Sequence, residues 1–242
     1  MTTLHLSVGG LQPLTMIDFP GKLAVVVFLK GCNLRCKYCH NPSLVEEGKG
    51  EITWDEVLAF LRKRQGFLEG VVFSGGEPTF QDSLPVAIEE VKELGFAVGL
   101  HTNGYYPGII KSFLEKKLLS FIAVDVKAPK GEYDRSSGSP INRSVEETAI
   151  LVAESGVSYE FRTTIHPLLV SDEWLIDIGN FLHGLGISRF VLQKFQGGNT
   201  LDPDLPSLVG EWLPKPILVR LREQFSRLGI RGDLAKGKEL AA

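Results

Sequence analysis

Cysteine is nearly absent: the 242 residues hold three, all between Cys32 and Cys39. An odd number in one short window excludes a disulfide framework, because nothing elsewhere could pair with the leftover thiol. A surplus of basic charge is missing too. With 26 Lys and Arg against 29 Asp and Glu, the net charge of −3 argues against a dedicated nucleic-acid binder, although one small basic patch would still fit. Long apolar runs are lacking. Leu23–Leu29 is the most apolar stretch and is far too short to span a bilayer, so it reads as a buried strand. Met1–Gly10 has no basic start followed by an apolar run, so no signal peptide is expected. The expectation is a cytoplasmic protein with neither membrane nor nucleic acid as partner. Clustered thiols in that setting point to metal or redox chemistry.

What is present is an ordinary globular composition, 43% apolar and 23% charged, in a chain long enough to bury a sizeable core. No linker or low-complexity run divides it, so one domain over 1–242 is expected. Short β-branched runs alternate with stretches of helical periodicity. Strands are predicted over Ala24–Leu29, Val71–Ser74, Ala97–Thr102, Phe121–Val126, Tyr159–Thr164 and Phe190–Gln193. Helices are predicted over Trp54–Arg64 (with Thr53 as N-cap), Pro85–Leu94, Ile109–Lys117, Val145–Ser155, Asp172–Leu185 and Pro216–Leu228. Gly95, Gly156, Gly186 and Gly229 are placed to close helices. Six strand-to-helix units imply an α/β fold of parallel strands with right-handed crossovers, as an open sheet or a barrel. Two long loops, Pro129–Asn142 and Gln196–Pro214, follow strands, on the edge where such folds build active sites. They are candidates for a mouth that receives a partner.

The segment Gly31-Cys32-Asn33-Leu34-Arg35-Cys36-Lys37-Tyr38-Cys39-His40-Asn41 carries the most information. Three thiolates spaced four and three positions apart can ligate three irons of a cubane, leaving the fourth iron without a protein thiolate. A structural zinc site on Cys32, Cys36, Cys39 and His40 is a second reading, and a redox pair Cys36–Cys39 a third. Ser74-Gly75-Gly76-Glu77-Pro78 follows the second predicted strand, and its glycines would let the backbone approach a ligand closely. Alternation along the fourth strand puts Asp125 and Lys127 on one face, opposite Val126. A charged pair inside a parallel barrel is costly unless it meets a ligand or another charge, and the plain alternative is a salt bridge at the strand end.

Cys32-x3-Cys36-x2-Cys39, with aromatic Tyr38 before the last cysteine, resembles the signature of the radical S-adenosylmethionine (SAM) superfamily. Asp18-Phe19-Pro20-Gly21 and Tyr38-Cys39-His40-Asn41-Pro42 resemble the glycyl-radical-enzyme activases within it. The likeness is greatest to anaerobic ribonucleoside-triphosphate reductase activating proteins, with pyruvate formate-lyase activating enzymes next. The resemblance implies a partial (β/α)6 TIM-like barrel and one 4Fe-4S cluster on Cys32, Cys36 and Cys39. It further implies reductive cleavage of SAM and abstraction of a glycine hydrogen from a glycyl radical enzyme. A flavodoxin- or ferredoxin-like protein would donate the electron. By the same likeness the segment Gly75, Gly76 and Glu77 binds the methionine amino group, with Thr102 alongside, and Glu77 is either a ligand contact or a local structural carboxylate. Asp125 and Lys127 contact SAM, Arg162 takes its carboxylate, and Tyr38 and His40 frame the adenine. Two positions depart from the pyruvate formate-lyase activases. His101 stands where they have an Asp of a monovalent-cation site, and Gln193 where they have a His ending the sixth strand. A radical enzyme for a small molecule or RNA base, and a zinc-stabilised binding protein without catalysis, remain as other readings.

Overall fold

Runs such as Ala24-Val-Val-Val-Phe-Leu are apolar at nearly every position, as strands covered on both faces must be. In the computed structural model, which describes residues 5–138, 144–208, 210 and 212–232, they form one eight-stranded sheet. The strands are β1 (Val8–Thr15), β2 (Ala24–Leu29), β3 (Gly70–Gly75), β4 (Ala97–Thr102), β5 (Phe121–Asp125), β6 (Ser158–Ile165), β7 (Arg189–Lys194) and β8 (Arg227–Arg231). They lie in chain order. β1 is antiparallel to β2, and every later neighbour pair is parallel. The helices are α1 (Trp54–Arg62), α2 (Leu84–Glu93), α3 (Pro107–Glu115), α4 (Tyr133–Ser137), α5 (Ser144–Glu154), α6 (Asp172–Gly184) and α7 (Lys215–Gln224). No helix among the described residues is long and apolar enough to cross a membrane.

Alternation along the strands makes two cores. Val25, Val27, Leu29, Val71 and Phe73 join the helices in the larger one. Ala24, Val26, Val72, Phe121 and Ala123 form a smaller one around Phe19, on the concave face. Phe19 comes from the β1–β2 connection and stacks on Phe121 with ring centroids 5.6 Å apart. Glycine makes room for it: a Cβ at Gly70 would lie 2.9 Å from the Phe19 ring. This is a partial (β/α)6 barrel flanked by two further strands. Among the described residues β1 and β8 do not pair with each other, which leaves the barrel open along that side.

The six predicted strands and the helices from the first through the fifth recur with ends shifted by one or two residues, and Thr53 caps α1 in a full capping box with Glu56. Three elements depart from expectation. The last predicted helix ends at Gln224, where Phe225 turns extended (φ −116°, ψ 114°), and Arg227–Arg231 is strand β8. Gly229 therefore closes no helix. It lies in β8, where an added Cβ would be 3.1 Å from Val191. β1, where no strand was expected, has two glycines and Pro13, which are tolerated on an edge strand with register shifts. Finally, the loop after β5 contains the short helix α4, closed by Gly138 at φ +66°. The part of that loop from 139 to 142 lies outside the described residues.

Candidate active site

The cysteine segment leaves the end of β2 and is held by backbone bonds from four directions. Gly31 and Cys32 donate to Leu44 and Val45 carbonyls at 2.9 and 3.0 Å, and Glu77 N donates to Gly31 O at 2.9 Å. Arg35 N reaches Ser137 O at the end of α4, 2.8 Å away. Leu201 N and Asp202 N donate to Cys39 O and Lys37 O at 3.2 and 2.9 Å. Both long loops thus support the cysteine segment itself, a role the sequence reading did not give them. Cys32, Cys36 and Cys39 line one cavity of about 190 Å³, together with Tyr38 and His40. Burial pushes the Cys32 thiol up to about 12, opposed by a backbone N–H from Leu34. Binding a metal is what would make such a thiol an anion. Among the described residues no three His, Cys, Asp or Glu side chains are grouped to hold a single metal ion. The three thiols nonetheless share one cavity, and a multi-iron cluster would take one thiolate on each of three irons where structural zinc needs four ligands on a single ion.

Tyr38 lines the cavity and is buried, and its hydroxyl has no hydrogen-bond partner. A buried orphan of this kind calls for a ligand. His40 stacks on Phe195 with centroids 5.4 Å apart, which sets its ring at the cavity wall.

Gly75 and Gly76 do line the cavity, yet their close approach is to backbone. A Cβ on Gly76 would stand 2.2 Å from Gly31 O, and one on Gly75 2.4 Å from Leu29 N. They dock the end of β3 against the cysteine segment. Glu77 is fully buried, and its carboxylate accepts from Thr79 N (3.1 Å), Thr79 Oγ1, Thr102 Oγ1 (2.7 Å) and Asn103 N (2.7 Å). Burial pushes its carboxyl up, against these hydrogen bonds. Glu77 and Thr102 therefore tie the ends of β3 and β4 together, and Asn103 continues the brace by donating to Asn33 Oδ1 at 2.8 Å.

Asp125 and Lys127 share the inner face as alternation requires, with Lys127 Nζ 3.6 Å from Asp125 Oδ2. Arg162 Nε donates to Asp125 Oδ1 at 2.8 Å. Burial would raise the Asp125 carboxyl, but Arg162 and Lys127 outweigh it and bring it down to about 2. The charges answer one another, and Asp125 and Lys127 still line the cavity. Sequence reasoning missed the second ion cluster deeper in the barrel. There Glu160, 1% exposed, meets Arg189 (3.2 Å) and Arg231 (2.8 Å), with Arg162 at 3.9 Å. The alternation Glu160–Arg162 in β6 was a visible signal for it, but its partner Arg231 lies in the unexpected β8. Arg231 also donates to Gln193 Oε1 at 3.3 Å, on the cavity wall.

Residues 26–182 match the radical SAM superfamily. Over 225 residues, covering 89% of both chains, the sequence is 32% identical to a Methanocaldococcus jannaschii protein described as a glycyl-radical enzyme activating enzyme. It is 29% identical over 201 residues to a pyruvate formate-lyase-activating enzyme of Clostridium pasteurianum, covering 74% of this chain and 83% of that one. In fold it is similar to Streptococcus suis SuiB bound to S-adenosylmethionine (TM-score 0.60, 18% identity), covering 84% of this chain and 48% of that one. This chain thus spans about half of that structure. It is similar also to Escherichia coli QueE (TM-score 0.53, 16% identity), covering 94% of both chains.

Proposed function

Because the chain belongs to the radical SAM superfamily, we propose that it is an enzyme that activates a glycyl radical enzyme by taking a hydrogen atom from one of its partner's glycines. The observation that carries this reading is the 32% identity, over nearly the whole of both chains, to a protein described as a glycyl-radical enzyme activating enzyme. Enzymes of this superfamily use a 4Fe-4S cluster and S-adenosylmethionine. The residues here fit both groups, with three thiols and Tyr38, whose buried hydroxyl has no partner, lining one cavity. When bound, the cluster supplies the electron for reductive cleavage of SAM.

The rest falls to the chain's own side chains. Cys32, Cys36 and Cys39 hold the cluster. Asp125, Lys127 and Arg162 offer charge of both signs to the amino and carboxylate groups of the methionine moiety. Tyr38 and His40 flank the adenine, while Gly75, Gly76, Glu77 and Thr102 hold the cavity floor in place. Buried Leu34 and Val45 make up the aliphatic part of the cavity wall and keep water from that side of the reacting atoms. The open side between β1 and β8 gives a partner's glycine loop a way in.

His101 and Gln193 favour anaerobic ribonucleoside-triphosphate reductase over pyruvate formate-lyase as the partner. A flavodoxin- or ferredoxin-like donor would deliver the electron in the cytoplasm, to an enzyme made of one domain. Anaerobic incubation of the reconstituted protein with SAM, a reductant and each candidate partner tests this by EPR. A glycyl radical on the reductase is expected. A radical on pyruvate formate-lyase alone would reassign the partner, and none on either would refute the activase reading.

A further inference from the structure

The Asp18-Phe19-Pro20-Gly21 segment lies on the concave face without touching the cysteines, and one residue links it to the charges beside the cavity. His101, on β4, is 7% exposed. Its Nε2 is 2.8 Å from the carbonyl oxygen of Asp18. Its Nδ1 is 3.3 Å from Nη1 of Arg162. A carbonyl oxygen can only accept and a guanidinium can only donate, so the partners fix the tautomer: the hydrogen is on Nε2 and the lone pair on Nδ1. The ring is neutral in this arrangement, since a second N–H would point at the guanidinium.

We propose that His101 is a positioning residue that couples the Asp18–Gly21 segment to Arg162 and thereby sets the geometry in which SAM is bound. Both ends of the link are held. On one side Thr15 Oγ1 donates to Asp18 Oδ2 at 2.5 Å and accepts from Asp18 N at 3.3 Å, and Phe19 is packed against Phe121 and Gly70. On the other side Arg162 donates through Nε to Asp125, which pairs with Lys127. Arg162's remaining anion, Glu160, is 3.9 Å from Nη1, too far for a hydrogen bond. His101 Nδ1 is therefore the acceptor that fixes the rotation of the guanidinium about its bond to Asp125. A planar donor fork recognises a carboxylate only when its plane is fixed.

The proposal rests on the reading of Arg162 and Asp125 as SAM contacts, and the test separates the two. SAM affinity is measured on anaerobically reconstituted protein for the wild type, Arg162→Ala, His101→Gln and His101→Asn. Thermal melting and iron content are followed in parallel. Gln can reach Asp18 O but offers no acceptor at the Nδ1 position, whereas Asn offers that acceptor and cannot reach Asp18. His101→Gln should weaken SAM binding about tenfold and raise KM with little change in kcat. His101→Asn, which keeps the acceptor for Arg162 but severs the tie to Asp18, should weaken it by a smaller factor of about three, and wild-type affinity in Asn would remove Asp18 from the link. Weak binding by Arg162→Ala with wild-type affinity in His101→Gln overturns the coupling alone. Wild-type affinity in Arg162→Ala overturns the cofactor reading of Arg162 and the proposal with it. Equal losses of melting temperature in Gln and Asn with unchanged affinity assign His101 a purely structural role.

Discussion

Removing one thiol has no substitute in this chain, because no fourth cysteine exists. Cys32→Ala, Cys36→Ala and Cys39→Ala should each abolish SAM cleavage, measured as 5′-deoxyadenosine release, and full activity in any one would refute the cluster assignment. His40→Ala should keep its iron, as determined by metal analysis, since stacking on Phe195 accounts for its placement. His101 gives the protein an acid-sensitive residue. Burial first, and then the Arg162 charge, bring it from 6.5 down to about 3. Between those values the unfolded chain takes up a proton that the folded protein refuses, so stability is full above pH 6.5 and falls as the pH drops. At pH 5.5 the loss is about 1.4 kcal/mol, which His101→Asn should remove from the difference between urea unfolding at pH 7 and pH 5.5. The gathering of the three cysteines, Asp125 and Lys127 at one cavity was legible because spacing and alternation fix them locally. Glu77 was legible only as a choice between a ligand contact and a local structural carboxylate, because its bracing partners Thr102 and Asn103 reach it from the next strand.

At the level of elements, the loop from Gln196 to Pro214 changes meaning once its backbone bonds are seen. A loop that served only as a mouth for the partner could be shortened without loss of partner-free SAM cleavage. The Leu201 and Asp202 amides of this one hold Cys39 and Lys37, so deleting residues around them should lower iron content and both activities together. Iron analysis of the shortened protein checks this, and full iron with lost activation would return the loop to the partner interface. The strands were legible where runs of Val, Ile and Phe are buried on both faces. β8 was not: Arg-Leu-Gly-Ile-Arg is short, half-buried and interrupted by glycine, and it continues the pattern of α7. The ions it completes are nevertheless consequential. Glu160→Gln would leave Arg189 and Arg231 facing one another across a buried site. Both keep about a third of their side chains in solvent (28% and 32%), so the cost belongs at the low end for a broken buried pair, ~3 kcal/mol by chemical denaturation.

At the scale of the whole molecule, the strand order along the sheet is the order along the chain. Each strand can therefore be added to the edge left by its predecessor while the protein is still being synthesised, without waiting for a distant segment. One group does wait. Glu160 emerges with β6, gains Arg189 when β7 docks, and gains Arg231 only when β8 arrives at the far edge. A ribosome stalled after β7 would hold a nearly complete barrel whose buried carboxylate lacks its hydrogen-bonded bidentate partner. Protease resistance of the nascent chain should then rise gradually through β2–β7 and sharply once Arg231 has left the exit tunnel. The final strand thus closes the ion cluster last, and through Arg231 and Gln193 it does so at the wall of the cavity that the thiols line.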